Sequence, residues 1–131
     1  MKQPAWLTRT VLEAVHTDLI REHGGALGIR DEALLESALA RPQQKWSYDQ
    51  AVDLADLAAA YGYGLARNHG FVDGNKRVAL MAMYIFLALN GRELNAPEPE
   101  TVNILTDVAA GSVSEAELGA WVRAHLTRYR Q

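Results

Sequence analysis

Cysteine is absent from this sequence of 131 residues. Disulfide scaffolds, cysteine-ligated zinc, iron–sulfur clusters and cysteine nucleophiles are therefore excluded. The absence is compatible with a reducing cytoplasm, where we expect the protein to reside. The sequence also lacks a large excess of charge of either sign, because it has 13 Lys and Arg residues and 16 Asp and Glu residues. The net charge of -3 disfavours a protein that coats nucleic acid or an anionic membrane, so neither is expected as a partner.

A long hydrophobic run is missing as well. The most apolar stretch covers residues 78–89. As a helix it would be ~18 Å long, against a hydrocarbon core of ~30 Å. We therefore predict no membrane span and expect a helix buried on nearly all sides.

The residues that are present predict one helical domain. The hydrophobic share of 49% and the charged share of 22% are ordinary for a globular protein. The length fits a single domain of ~100–150 residues, so we expect one domain over residues 1–131. Proline and glycine separate segments of helical periodicity. The predicted fold class is therefore all-α, a compact domain of about six helices around a buried central helix.

Capping residues set the predicted helix boundaries in the N-terminal half. Thr8 and Asp31 are predicted N-caps of the first two helices, and Gly24 is expected to end the first. Pro42 is predicted to end the second helix. Residues 43–49 then form an extended loop or flap, and a third helix covers about residues 50–68.

The C-terminal part is predicted to hold a brief extended piece at residues 93–95 and two more helices. Pro99 suits the first turn of the fifth helix, which reaches about residue 110. Ser114 and Glu117 have the spacing of a capping box that opens the last helix. Leu126 is expected on the apolar face of that helix.

Polar residues are densest at residues 68–77, in the loop that leads into the apolar helix. The main-chain N–H groups of Gly74 to Arg77 would point out of the helix start, where the helix dipole favours an anion. Lys76 and Arg77 oppose that dipole, and an anionic ligand would resolve the conflict. The alternative is that both are solvated surface charges.

Three more side chains in this segment suit phosphate chemistry. His69 titrates near neutral pH and can act as a base. Asp73 offers a carboxylate to magnesium, which binds through one or two carboxylates plus phosphates; its alternative role is an N-cap. The Asn75 amide can bond a phosphate or fix the loop. Together these groups fit phosphoryl or nucleotidyl transfer to a hydroxyl. The remaining histidines are assigned to surface or partly buried helix positions, not to metal: His16, His23 and His125.

The segment His69-Gly70-Phe71-Val72-Asp73-Gly74-Asn75-Lys76-Arg77 resembles the Fic-domain signature, histidine-x-phenylalanine-x-acid-glycine-asparagine-x-arginine. Most Fic proteins have glycine where this chain has Lys76. That lysine looks like the Doc branch of the family, and a second stretch, residues 24–43, is similar to the N-terminal region of Doc proteins. Two separated motifs in the right order make the resemblance specific.

The resemblance implies a role for each matching residue. His69 would be the general base on a target hydroxyl, and Asp73 the Mg²⁺ ligand. Gly74, Asn75 and Lys76 would form an anion-binding turn, and Arg77 would hold a phosphate of ATP. Residues 43–49 look like the flap that pairs with the backbone of the target protein.

For the Doc branch the resemblance implies a toxin that transfers the γ-phosphate of ATP to a protein hydroxyl. The expected target is a threonine of elongation factor Tu or another translation protein. Gly74 follows the general Fic pattern and leaves AMP transfer open as an alternative. A catalytically silent binding module of the same fold is a further alternative. No Ser or Thr begins the self-inhibitory motif of many Fic proteins, so we expect control in trans by a Phd-like antitoxin.

Overall fold

The computed structural model describes residues 2–129. Within that range the chain forms six α-helices and two short strands, which confirms the predicted all-α class. The helices are α1 (Arg9–His23), α2 (Glu32–Tyr48), α3 (Leu54–Asn68), α4 (Asn75–Leu89), α5 (Glu98–Ala110) and α6 (Glu115–Ala124). The strands are β1 (Arg92–Leu94) and β2 (Leu126–Arg128), which pair antiparallel.

Helices α3 and α4 form the centre of the fold. They carry most of the fully buried side chains, among them Tyr61, Met83 and Phe86. Gly62 lets the two helices approach closely, since a Cβ at this position would lie 2.6 Å from the sulfur of Met83. The apolar stretch predicted to be a buried helix is therefore α4, and the other helices pack around this pair.

The predicted caps are confirmed by hydrogen bonds at the helix starts. The Thr8 side chain accepts from the main chain of α1, and the Asp31 carboxylate accepts from that of α2. Ser114 and Glu117 form the capping box of α6. Helix α5 has its proline in the first turn, as expected.

Two predicted boundaries are wrong, the end of the second helix and the start of the third. Helix α2 continues through Pro42 to Tyr48, so residues 43–48 are helical and not an extended flap. The reason is packing, because Leu35, Ala38, Leu39 and Pro42 are all buried at helical spacing. This burial outweighs the hydrogen bond that a proline removes from a helix. Helix α3 accordingly begins at Leu54, later than predicted, after the Asp53 cap.

The last helix also ends earlier than predicted. It stops at Ala124, and Leu126 belongs to β2. The extended piece predicted near residue 93 is β1, and Leu94 pairs with Leu126 across the two strands. The partner strand was not foreseen, because two strands of three residues each leave almost no periodic signal.

Candidate active site

His69 lies at the C-terminus of α3 in a left-handed backbone conformation, with φ 50° and ψ 50°. Among residues 2–129 it is the one non-glycine residue with positive φ. Such a conformation costs on the order of 1 kcal/mol and occurs where surrounding contacts enforce it. The imidazole is on an exposed residue and faces a surface cavity described below. The predicted base is therefore accessible to a substrate.

Arg30 enforces the backbone conformation of His69. Its Nε donates to the carbonyl of His69 at 2.6 Å, and its Nη2 donates to the carbonyl of Asn68 at 3.1 Å. These carbonyls end α3 and would otherwise lack partners. In the sequence, Arg30 stands out only as part of the stretch 24–43 that resembles Doc proteins. Its function at this position could not be read from the sequence, because the contact joins residues 39 positions apart.

The signature loop, residues 69–74, packs against α2 and against residues 28–31, which precede α2. A Cβ on Gly70 would lie 2.8 Å from Cβ and 2.9 Å from Cα of Leu35, so only glycine fits there. Phe71 is buried and forms a β-bridge with Ile29. The loop is thus held as a short extended segment beside residues 28–31.

His16 holds the other side of this loop. It is 3% exposed, its Nε2 lies 2.8 Å from the carbonyl oxygen of Asp73, and its ring stacks on Phe71 at 3.8 Å between centroids. The assignment of His16 to a surface or partly buried position is therefore wrong. The available signal was its spacing, because Leu12, His16 and Ile20 form the buried stripe of α1.

The Asn75 side chain fixes the loop. Its Oδ1 accepts from the main-chain N–H of Phe71 and its Nδ2 donates to the carbonyl of Phe71, both at 3.0 Å. The residue is 9% exposed. Both the oxygen and the nitrogen of the amide are therefore occupied. Of the two roles that the sequence allowed for Asn75, bonding a phosphate or fixing the loop, the structure shows the second. Its remaining contribution to an anion site is its main-chain N–H.

The Asp73 carboxylate stands at the start of α4, but it does not cap the helix. Gly74 is the N-cap, in a left-handed conformation, and no side chain caps α4. Asp73 Oδ1 accepts from the Gly74 N–H at 2.8 Å, and Oδ2 accepts from the Ala26 N–H at 3.3 Å. Gly25 makes room for this carboxylate, because a Cβ there would lie 2.6 Å from Oδ2.

This carboxylate suits a magnesium ion that is bound together with phosphates. Asp73 is exposed, and each of its oxygens keeps acceptor capacity beyond the one bond it makes. Residues 2–129 contain no cluster of three or more acidic, His or Cys side chains that could hold a metal ion on their own. A single carboxylate is the donor set that fits Mg²⁺ carried by phosphates, and it does not fit an all-protein cage.

The first turn of α4 provides the positive charge. Lys76 and Arg77 are exposed, and neither forms an ion pair with any residue in the range 2–129. A cavity of about 320 Å³ lies here. It is lined by His69, Val72, Asp73, Gly74, Asn75, Lys76 and Arg77. All six predicted site residues therefore face one cavity, at a helix start that favours anions.

No helix in the described part of the chain has the length and apolar character to span a membrane. The fold and site together define an all-α protein with a candidate phosphate-binding site at the start of its central helix.

Comparison with known proteins identifies the family. A model described as the Fic/DOC family matches residues 6–87, which include the signature loop and most of α4. Protein kinase doc of Escherichia phage P1 is 32% identical over 112 residues, covering 86% of this chain and 88% of the phage protein. Toxin Doc of Mycolicibacterium smegmatis (strain ATCC 700084 / mc(2)155) is 50% identical over 74 residues, covering 56% of this chain and 57% of that toxin. The chain belongs to the Fic/DOC family, and its resemblance to the Doc branch is confirmed.

Proposed function

We propose that this protein is a Doc-type toxin that transfers the γ-phosphate of ATP to a hydroxyl of a translation protein. The observation that carries the proposal is the single cavity in which His69, Asp73 and the positive start of α4 meet. Similarity to a phage protein named as a kinase and to a mycobacterial protein named as a toxin supports it. The proposed target is a threonine of elongation factor Tu.

His69 acts as the general base in this proposal. The oxygen of the target hydroxyl attacks the γ-phosphorus, the bond from that phosphorus to the β–γ bridging oxygen breaks, and ADP leaves. The hydroxyl proton passes to an imidazole nitrogen of His69. The clamp of Arg30 on the His69 carbonyl keeps the imidazole in place, so little reorganisation is needed when the hydroxyl arrives.

The phosphates lie against the start of α4. The main-chain N–H groups of Asn75, Lys76 and Arg77 and the two cationic side chains stabilise the charge that develops in transfer. Asp73 would hold Mg²⁺, which neutralises phosphate charge when it is bound. His16 and Asn75 position these groups through the backbone of the signature loop.

Control by a separate protein belongs to the same proposal. The sequence lacks the self-inhibitory motif that many Fic proteins carry, and the cavity at His69 is open to solvent. We propose a Phd-like antitoxin whose disordered segment folds onto this surface when it binds.

The test is the intact mass of elongation factor Tu after incubation with this protein, ATP and magnesium. A gain of one phosphate supports the proposal, provided that a His69→Ala variant with an unchanged circular dichroism spectrum gives none. His125→Ala is the matched control, because this histidine at the end of α6 lies outside the cavity and should leave transfer unchanged. Absence of any gain on this factor and on whole lysate would instead favour a silent binding module.

AMP transfer remains a second candidate on one observation, which is Gly74. This residue follows the general Fic signature and adopts φ +77°, so a phosphate can approach its backbone closely. ATP labelled at the α-phosphate separates the two reactions, because only AMP transfer moves that label to the target protein.

A further inference from the structure

The most apolar helix of the fold keeps one uncovered face. Helix α4 has no charged residue from Val78 to Leu89, a composition typical of a helix buried on nearly all sides. Five of its apolar residues nevertheless reach the surface, three of them half-buried and two exposed. These residues form the α4 stripe: Met81, Tyr84, Ile85, Ala88 and Leu89.

The spacing of the α4 stripe is typical of a helix–helix contact. Its members stand at positions i, i+3, i+4, i+7 and i+8, so they share one face over roughly 12 Å of helix. A cavity of about 190 Å³ lies beside Met81, and one of about 420 Å³ lies beside Tyr84, Ile85 and Ala88. Neighbouring elements therefore leave this face open, and a contiguous apolar surface of this kind marks an interaction site.

The end of the α4 stripe at Met81 is acidic. Glu22 from α1 and Glu98 from α5 line the cavity beside Met81. Arg77 lines it too, but it forms no ion pair with either carboxylate, and among residues 2–129 the nearest basic group to Glu22 is His23, at 3.9 Å. Both carboxylates are thus available to a basic partner.

The end of the α4 stripe at Leu89 is basic. Arg92 lines the cavity beside Ala88, and Arg128 lines an adjoining surface cavity with Leu89. The two arginines stand opposite each other on β1 and β2, and neither forms an ion pair within residues 2–129. Like charges directly opposite each other destabilise a strand pair, so an acidic partner would relieve them. Glu93 is the one carboxylate that lines the cavity with Arg92.

We propose that the α4 stripe is covered by a second copy of this chain in a symmetric dimer. A twofold axis perpendicular to α4 would pass near Ile85, the midpoint of the stripe, and would set the two helices antiparallel. Met81 of each copy then lies near Leu89 of the other. The carboxylates of Glu22 and Glu98 consequently face Arg92 and Arg128 at both ends of the interface. This complementarity favours a second copy as the occupant, and the inference does not depend on the proposed reaction.

Sedimentation velocity over a range of protein concentrations tests the dimer. The stripe is short, so we expect an interface at the small end of the usual range and a dissociation constant of about 1–100 µM. Ile85→Glu places two carboxylates at the centre of the interface and should weaken dimerisation at least ~tenfold. Val11→Glu is the matched control, because Val11 is also an exposed apolar residue but lies on α1 outside the stripe.

Charge reversal tests the antiparallel arrangement. One variant carries Arg92→Glu with Arg128→Glu, and a second carries Glu22→Lys with Glu98→Lys. Each variant alone should stay monomeric, because like charges then meet at both ends. An equimolar mixture of the two should form a heterodimer, because opposite charges meet again at both ends.

Thermal melting confirms that each variant is folded, and Leu89→Glu replaces Ile85→Glu if the latter unfolds. A monomer at every concentration overturns the inference and assigns the stripe to a different partner. A dimer that persists in both Ile85→Glu and Leu89→Glu overturns it as well, because the contact then lies elsewhere. A mixture of the charge-reversed variants that stays monomeric overturns the antiparallel arrangement.

Discussion

The sharpest prediction concerns Asn75, because its side-chain amide holds the signature loop in place and does not bind a phosphate in this interpretation. Its amide accepts from the N–H of Phe71 and donates to the carbonyl of the same residue. The bridge with residues 28–30 uses the main-chain groups of Gly70 and Val72, so those of Phe71 face Asn75 instead. Replacing Asn75 with alanine removes both partners of Phe71 at once.

The magnitude follows from burial. Phe71 is 2% exposed and Asn75 is 9% exposed, so water cannot easily replace the amide. Leaving one buried main-chain group without a partner costs ~1–3 kcal/mol. With two such groups and some relaxation of the loop, we expect Asn75→Ala to lower the free energy of unfolding by about 2–4 kcal/mol. That is a large fraction of the ~5–15 kcal/mol typical of a folded domain.

Urea denaturation measures this effect, and the midpoint should fall while the slope stays the same. Asn103→Ala is the control, since Asn103 is exposed and its side chain makes no hydrogen bond with residues 2–129. An Asn75→Ala protein as stable as the unmodified one, but with weakened ATP binding, would refute the reasoning. It would show that the amide serves a phosphate and that the loop is fixed by other contacts.

Three further predictions concern contacts around and outside the site. Arg30→Ala should lower the transfer rate about tenfold and leave ATP affinity unchanged, because it releases the carbonyl of His69 without touching the phosphate cavity; steady-state kinetics separates the two. Gly70→Ala should lower the free energy of unfolding by about 1–3 kcal/mol in urea denaturation, because the added methyl overlaps the backbone of α2. Hydrogen bonding from Arg123 lowers the pKa of Asp53 from 3.8 to about 2, so the ion pair contributes stability above pH 3.8 that is lost as pH falls towards 2. Asp53→Asn should therefore flatten the stability curve in that acid range when unfolding is followed by pH titration.

The predictions for Arg30 and Asp53 each have a control. Arg21→Ala removes an exposed arginine that forms no ion pair within residues 2–129, and it should leave the rate unchanged. An equal loss of rate in this variant would point to net charge and not to the clamp on His69. For Asp53, asparagine retains the capacity to cap α3, so a uniform loss of stability at all pH values would contradict the ion-pair explanation.

The helical class, most helix starts and the position of the candidate site could be predicted from the amino-acid sequence. Caps such as Thr8 and Asp31 act on main-chain groups three residues away, so their effect is visible locally. The signature is also local, because the residues from His69 to Arg77 are contiguous in the sequence. The chemistry of each of these residue types follows from its side chain. This is why every predicted site residue lies on the one cavity.

How far α2 extends and how the candidate site is held depend on tertiary structure alone. Pro42 stays inside a helix because buried neighbours compensate for the missing hydrogen bond. Arg30 and His16 reach the signature loop from 39 and 57 residues away, through contacts that no local pattern encodes. Packing between distant segments sets these features, and local sequence preference carries no information about which segments meet.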